Sequence, residues 1–268
     1  MAVIYLIRHA QTVDNLSKKF SGYTDCKISD FGFLQLEKLS DKMKNIKVDY
    51  VYSSPLERTT LTGNSFSNNL ITCDNLIEMN FGDFEGLTLE EIKDKNPEEV
   101  SKLFKHGFEY KFPNGESLID FHDRVKACFY DIVSQNHDNR IAIVSHSGTI
   151  RCILSEIIGE SYKYHWNFQI DNCSISKITY DEGFGVINYM NDNIASDIDG
   201  LSYLKWCRDK YNFNKEDVLL DNLKQNGIYW VNMGVNVGSE LRKLRPVILW
   251  RSTSDNKTWT MIPLTTKK

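Results

Sequence analysis

Two stretches of this chain run apolar and β-branched and then stop at a histidine, and this pattern limits the folds open to it. The first is Ala2-Val3-Ile4-Tyr5-Leu6-Ile7, which breaks at Arg8-His9. The second is Ile141-Ala142-Ile143-Val144, which breaks at Ser145-His146. Short continuous apolar runs read as strands buried on both faces, the kind found in parallel sheets covered by helices. Such sheets bind ligands beyond the carboxyl ends of their strands. Both imidazoles are therefore expected at one edge, facing one crevice.

Strand and helix signals alternate between these runs. Ser29-Asp30 caps a predicted helix to about Lys44, with Phe33, Leu36 and Leu39 near helical spacing. Residues 48–52 read as a short strand, Pro55 as the first turn of a helix to about Asn68, and Leu70-Ile71-Thr72 as another strand. Residues 74–87 read as a glycine-punctuated loop and 87–105 as short broken helices. From Ser117 a helix carries Leu118, Phe121, Val125, Phe129 and Ile132 on one face. A further helix follows Ser145-His146-Ser147-Gly148 and runs to about Ile158, and strands come at about 173–180 and 185–190. The order predicts a three-layer α/β domain over residues 1–198, with a mostly parallel sheet and helices on both faces. Residues 199–226 read as a helical linker, and 227–268 as a small, partial all-β segment.

The 41% hydrophobic content of the 268 residues is enough for a core without disulfide or metal staples. Six scattered cysteines, with no C-x-x-C pair, read as free thiols of a reducing compartment. Arg8 interrupts the N-terminal apolar segment, so no leader is expected, and no apolar run is long enough for a bilayer. A cytoplasmic location without a membrane partner follows as the expectation. The net charge of −4 conceals an asymmetry: residues 201–268 hold 12 Lys+Arg against 6 Asp+Glu, a net of +6, which leaves −10 on residues 1–200. Opposite signs suggest two units with different partners, RNA among those open to the basic one.

Arg58 follows a third strand end, in Ser54-Pro55-Leu56-Glu57-Arg58. Arg8, Arg58, His9 and His146 at one edge make an anion pocket suited to a phosphoryl group, because guanidinium forks match its oxygens. A histidine there can attack phosphorus and carry the group covalently. Glu78, on a loop, can protonate the leaving oxygen. Taken singly, each residue has a plainer reading: a core histidine, a solvated carboxylate, a surface ion pair worth ~0–1 kcal/mol. His106, His122, His137 and His165 lack the strand-end setting and keep that plainer reading.

The ordered motifs are more specific. They are Leu6-Ile7-Arg8-His9-Ala10-Gln11-Thr12 with Asn15, Phe20-Ser21-Gly22-Tyr23-Thr24-Asp25 with Ile28-Ser29, and Tyr52 to Arg58. Ile77-Glu78 with Gly82 to Gly86, Pro113-Asn114-Gly115-Glu116-Ser117 and Val144-Ser145-His146-Ser147-Gly148 complete the set. Over residues 1–195 this set resembles the histidine phosphatase superfamily, in its phosphoglycerate-mutase-like branch. The resemblance implies His9 as the phosphorylated nucleophile, Glu78 as proton donor, and Arg8, Arg58 and His146 holding the phosphoryl group. It places Asn15, Ser21, Gly22 and Ser147 along the substrate, and implies no metal and no cofactor. Ala10 and Gln11 stand where the family usually has glycine and glutamate. Phe20-Ser21-Gly22 is closer to mutases, yet the segment after Glu78 lacks their long basic lid, which favours hydrolysis. The expected activity is hydrolysis of a small phosphomonoester, on the scale of the alpha-ribazole and broad-specificity phosphatases, with mutase-type transfer as the alternative.

Gly227-Ile228-Tyr229-Trp230-Val231-Asn232, Val237-Gly238-Ser239-Glu240, Lys243-Leu244-Arg245-Pro246-Val247 and Ile262-Pro263-Leu264-Thr265 resemble the opening of the MazF/PemK toxin ribonucleases. That resemblance implies Arg245 and Thr265 as the remnant of an RNA-cleaving site, with RNA or an antitoxin-like peptide as partner. Strands with no activity left are the other reading. Three strands alone would expose an edge and apolar residues, which docking on the first domain or a homodimer would cover.

Overall fold

The N-terminal apolar run folds as strand β1 (Ala2–Arg8), with Ile4, Leu6 and Ile7 fully buried. This is a computed structural model, and it describes residues 1–194 together with the backbone of three strands further on. In the first part, β1 joins β2 (Tyr50–Ser53), β3 (Leu70–Thr72), β4 (Arg140–Ser145), β5 (Ile175–Asp181) and β6 (Phe184–Asp192) in one sheet of order β3-β2-β4-β1-β5-β6. The first four strands pair in parallel, and β5 and β6 add antiparallel at one side. The sheet is thus mixed and mostly parallel, as the alternating sequence predicts.

Side-chain alternation in the strands separates two apolar layers. On one face Tyr5, Ile7, Ala142 and Val144 pack with Leu36, Leu39 and Met43 of the helix Asp30–Met43. On the other, Ile4, Leu6, Ile141 and Ile143 pack with Phe121, Val125 and Phe129 of the helix Leu118–Ser134, and with Ile150, Ile153 and Leu154 of the helix Ser147–Gly159. In chain order the helices are α1 (Val13–Ser17), α2 (Asp30–Met43), α3 (Glu57–Asn64), α4 (Leu89–Lys95), α5 (Pro97–His106), α6 (Leu118–Ser134) and α7 (Ser147–Gly159). Ser29 caps α2, and Ser117 caps α6 in a capping box with Asp120.

Two local expectations shift. Pro55 lies ahead of α3, whose cap is Leu56 without a side-chain bond, and the helix stops at Asn64. Phe33 is 40% exposed and stands outside the core stripe of α2. A 3₁₀ stretch, Tyr162–Asn167, occupies the connection after α7.

The register aligns the site. Arg8 of β1 pairs with Ser145 of β4, and Ser53 of β2 pairs with Val144. His9, Ser54 and His146 therefore leave the sheet side by side at the carboxyl edge.

The chain divides into two units, Met1–Asp197 and Ile198–Lys268. In the second, β7 (Ile228–Asn232), β8 (Leu244–Ser252) and β9 (Trp259–Pro263) form an antiparallel sheet of order β7-β8-β9. Pro246 of the central strand pairs with Trp230 of β7, while β9 ends with Pro263 opposite Val247. Pro246 thus sits just past the end of one neighbour, where a missing N–H costs the sheet little. The predicted linker at 199–226 and Thr265 lie outside the described residues, and Arg245 is described only as backbone of β8. No helix among the described residues is long and apolar enough to cross a membrane.

Candidate active site

His9 and His146 meet at the sheet edge with ring centroids 5.2 Å apart, edge to face. Both are buried, at 4% and 0% exposure. His9 Nδ1 lies 2.7 Å from the Ala10 carbonyl oxygen. A carbonyl only accepts, so Nδ1 carries the proton and the Nε2 lone pair is left open. Desolvation, followed by the charges of Arg58 and Arg8, holds the His9 pKa well below its ordinary 6.5, so the ring is neutral at pH 7. His146 has the opposite tautomer. Its Nδ1 accepts from Arg58 Nε at 3.2 Å, so its Nε2 donates to Ser54 Oγ at 2.9 Å. Burial first, then Arg58, keep it neutral as well.

The arginines are used differently. Arg58 is 1% exposed, and its forked nitrogens donate to the carbonyls of Thr24 (2.9 Å), Ser21 (3.3 Å) and Gly22 (2.6 Å). It therefore places positive charge behind the two histidines and ties down the loop 21–24. Arg8 donates from Nη1 to the Ile170 carbonyl at 2.7 Å, while its buried Nε has no protein partner. Burial lowers the Arg8 pKa to about 10, which still leaves it charged at neutral pH. A charged guanidinium with an unused buried donor is suited to an anion.

Glu78 is 9% exposed and reaches the amino end of α7. Its Oε2 accepts from the Gly148 amide at 2.9 Å and its Oε1 from Met79 at 3.0 Å. A Cβ on Gly148 would lie 2.2 Å from Glu78 Oε1, so the motif Ser147-Gly148 needs its glycine for this approach. Ser147, half-buried, opens α7 beside it. Asn15 Oδ1 accepts from the Thr12 amide, capping α1, and from Asn172 Nδ2 at 3.1 Å. Ser21 Oγ donates to Asp14 at 2.6 Å. Gly22 is the point where two loops touch: a Cβ there would sit 1.8 Å from the Met79 carbonyl oxygen. A cavity of about 350 Å³ opens beside these groups, lined by Arg8, Gln11, Asn15, Lys18, Lys19, Phe20 and Asn172.

Arg8, His9 and His146 thus stand at the carboxyl edge, with Asn15 on α1, Arg58 on α3, Ser147 on α7, and Ser21, Gly22 and Glu78 on loops around it. The supporting groups are the ones the sequence reading missed. Arg124 of α6 forms a two-pronged pair with Glu116 (2.8 and 2.9 Å) and donates to the carbonyls of Asn75, Ile77 and Glu78. Ser145 holds the Leu76 carbonyl and Thr149 the Ile77 carbonyl, so each carbonyl from Asn75 to Glu78 has a donor. The Glu85 carboxylate accepts from four backbone amides, those of Gly22, Tyr23, Thr24 and Phe81. Asn172 Nδ2 reaches both Asn15 and the His9 carbonyl. Arg124 did leave a signal: it falls between Phe121 and Cys128, inside the apolar stripe of α6. Asn172 left none. Among the described residues, no three His, Cys, Asp or Glu side chains are grouped as metal ligands.

Comparison with known proteins identifies the family. The family described as histidine phosphatase superfamily (branch 1) matches residues 4–193. Phosphoserine phosphatase 1 of Hydrogenobacter thermophilus is 29% identical over 195 residues, covering 71% of this chain and 92% of that protein. Among solved structures, the alpha-ribazole phosphatase from Shigella flexneri superposes with a TM-score of 0.66 at 26% identity, over 70% of this chain and 96% of that one. A mutant phosphoserine phosphatase from Entamoeba histolytica, solved with phosphoserine, gives 0.63 at 27% identity, over 71% and 97%. With the match spanning most of the sequence and these relatives covered almost end to end, the chain belongs to branch 1 of the histidine phosphatase superfamily.

Proposed function

We propose that this enzyme hydrolyses a small phosphomonoester through a phosphohistidine at His9. The observation that carries the reading is the Nδ1–Ala10 hydrogen bond, which leaves a neutral ring with its Nε2 lone pair available. In the first step Nε2 attacks phosphorus, an N–P bond forms, the ester P–O bond breaks, and the leaving oxygen takes a proton from the Glu78 carboxyl. In the second step the Glu78 carboxylate takes a proton from water as its oxygen attacks phosphorus. The N–P bond then breaks, and inorganic phosphate and neutral His9 are released. Arg8 binds the phosphoryl oxygens through its unused donors, and His146 with Arg58 supports the buried pocket. Asn15, Ser21, Gly22 and Ser147 shape its mouth.

Relatives named for phosphoserine and alpha-ribazole phosphate make those esters the first to assay, alongside phosphoglycerates. Rapid acid-free quenching with a labelled substrate should trap label on the wild-type chain, and His9→Ala should neither trap label nor turn over. Substantial turnover by His9→Ala sinks the reading. Isomerisation of 3-phosphoglycerate without phosphate release would instead establish mutase-type transfer.

For the C-terminal segment, a MazF/PemK-like role at RNA is a separate proposal, supported by the Arg245-Pro246 motif and the local net charge of +6. Cutting of RNA by the full chain, lost in Arg245→Ala, would support it; intact RNA disposes of it. The division into a phosphatase domain at 1–198, a linker and a β segment is likewise proposed, and limited proteolysis near residue 200 tests it.

A further inference from the structure

Two thiols lie in contact just ahead of the acid loop. Cys73 directly follows β3, and Cys128 sits on α6, with their sulfurs 3.0 Å apart. Both are free thiols, Cys73 half-buried and Cys128 buried at 5% exposure. The contact closes a long loop, since 55 positions separate the two residues. Cys26, Cys152 and Cys173 are buried and none has a second cysteine bonded to it among the described residues.

We propose that Cys73 and Cys128 form a reversible disulfide when the protein meets a peroxide, with Cys73 as the attacking thiol and Cys128 as the resolving one. The geometry requires little. A disulfide needs sulfurs about 2.05 Å apart, so they must close by roughly 1 Å, and the neighbouring backbone is already held. The Cys73 amide donates to the Ser53 carbonyl at 2.9 Å, and Arg124, one turn ahead of Cys128, grips the carbonyls of Asn75, Ile77 and Glu78. Exposure assigns the order, because only Cys73 is open to a small oxidant. Its thiol is also the more acidic: the hydrogen bond from Cys128 pulls its pKa down, helped by the backbone amides of Asn75 and Leu76, while Cys128 is pushed up.

The chemistry balances with hydrogen peroxide as oxidant. The Cys73 thiolate attacks one peroxide oxygen, an S–O bond forms, the O–O bond breaks, and the departing hydroxide takes the thiol proton to become water. Cys128 then attacks the sulfenic sulfur of Cys73, the S–S bond forms, and the S–O bond breaks. The second hydroxide leaves with the Cys128 proton as a second water. Two thiols are oxidised and one peroxide is reduced. The product pins the strand end five residues before Glu78 to the helix that already holds the loop. The bridge therefore stabilises the arrangement present in the reduced chain.

The full-length protein is treated with a few equivalents of hydrogen peroxide, alkylated, and digested with trypsin without reduction. The expected product joins peptide 59–93 to peptide 127–140, two hydrogens lighter than their sum, and separates on adding dithiothreitol. It is absent from Cys73→Ser and from Cys128→Ala. The bridged wild type should melt about 5–15 °C higher than the reduced form, with turnover changed less than about twofold. Sulfinic acid at Cys73 without the cross-link, or a link from either cysteine to another thiol, overturns the proposal. A bridged protein that melts no higher overturns its stabilising role. The cross-link and melting readouts do not depend on the phosphatase reading.

Discussion

At the scale of single residues, the site rests on two histidines with opposite tautomers. His9 keeps its proton on Nδ1, against Ala10, and His146 keeps it on Nε2, against Ser54. His146→Gln preserves one donor but loses the acceptor for Arg58 Nε, so it should lower kcat more than it raises KM. Glu78 offers a sharper test, because its role depends on the leaving group. Glu78→Gln should slow hydrolysis of an alkyl phosphate by about 10²–10⁴. In the phosphorylation step, read as the burst of 4-nitrophenol, the loss should be much smaller for 4-nitrophenyl phosphate, whose leaving oxygen needs no proton, whereas the water-activating second step loses Glu78 with either ester. Equal losses on both substrates in the first step would remove Glu78 from the acid role. Gly148→Ala is expected to resemble Glu78→Gln on the alkyl ester, since its methyl group would displace the carboxylate.

At the scale of elements, the site is assembled by the loop at 75–78 pressed onto α6 and α7. Replacing Arg124 by Lys keeps the charge but loses the planar fork that serves Glu116 and three carbonyls at once. Arg124→Lys should cost about 2–3 kcal/mol in chemical denaturation. It should also reduce kcat roughly 10–100-fold with little change in KM, as expected of a positioning residue. An unchanged kcat would show that α6 and α7 hold the loop without it. This element also marks how far the sequence could be read. β1 and β4 were legible because each apolar run ends abruptly in polar residues that only a sheet edge accommodates. The apolar face of α6 was legible from its spacing. The Glu116–Arg124 clamp was not, because a lone arginine inside an apolar stripe does not reveal which carbonyls it meets. Glu85 stood in a recognisable motif, yet its four amide partners come from two separate loops, a meeting that only the tertiary fold brings about.

At the scale of the whole molecule, burial of neutral histidines links stability to pH. His9, His146, His122 and His165 all have folded pKa values below 6.5, the last near 3, each chiefly through burial. Above pH 6.5 these rings are neutral in both folded and unfolded chains and add no pH dependence. As pH falls through 6.5, the unfolded chain takes up protons that the folded chain refuses, so stability is lost on the acid side. Each fully buried histidine contributes a slope of about 1.4 kcal/mol per pH unit until its folded pKa is reached. The urea midpoint should therefore fall between pH 6.5 and pH 5, before most carboxylates titrate, and more steeply than a single histidine allows. A flat midpoint across that window would mean that the rings protonate in place. The mixed α/β architecture was legible at this scale from element order. The two antiparallel strands at one side were not assigned a direction beforehand, because alternation marks a strand but not its partner.

The single carboxylate of Glu85 also has a dynamic consequence. Amides in an irregular surface loop ordinarily exchange with solvent within seconds, yet those of Gly22, Tyr23 and Thr24 all end on one side chain. They should exchange slowly and together, as one opening unit that includes Phe81, and Glu85→Ala should release all four at once. Deuterium uptake at residues 22–24 would then report how often the mouth of the site breathes.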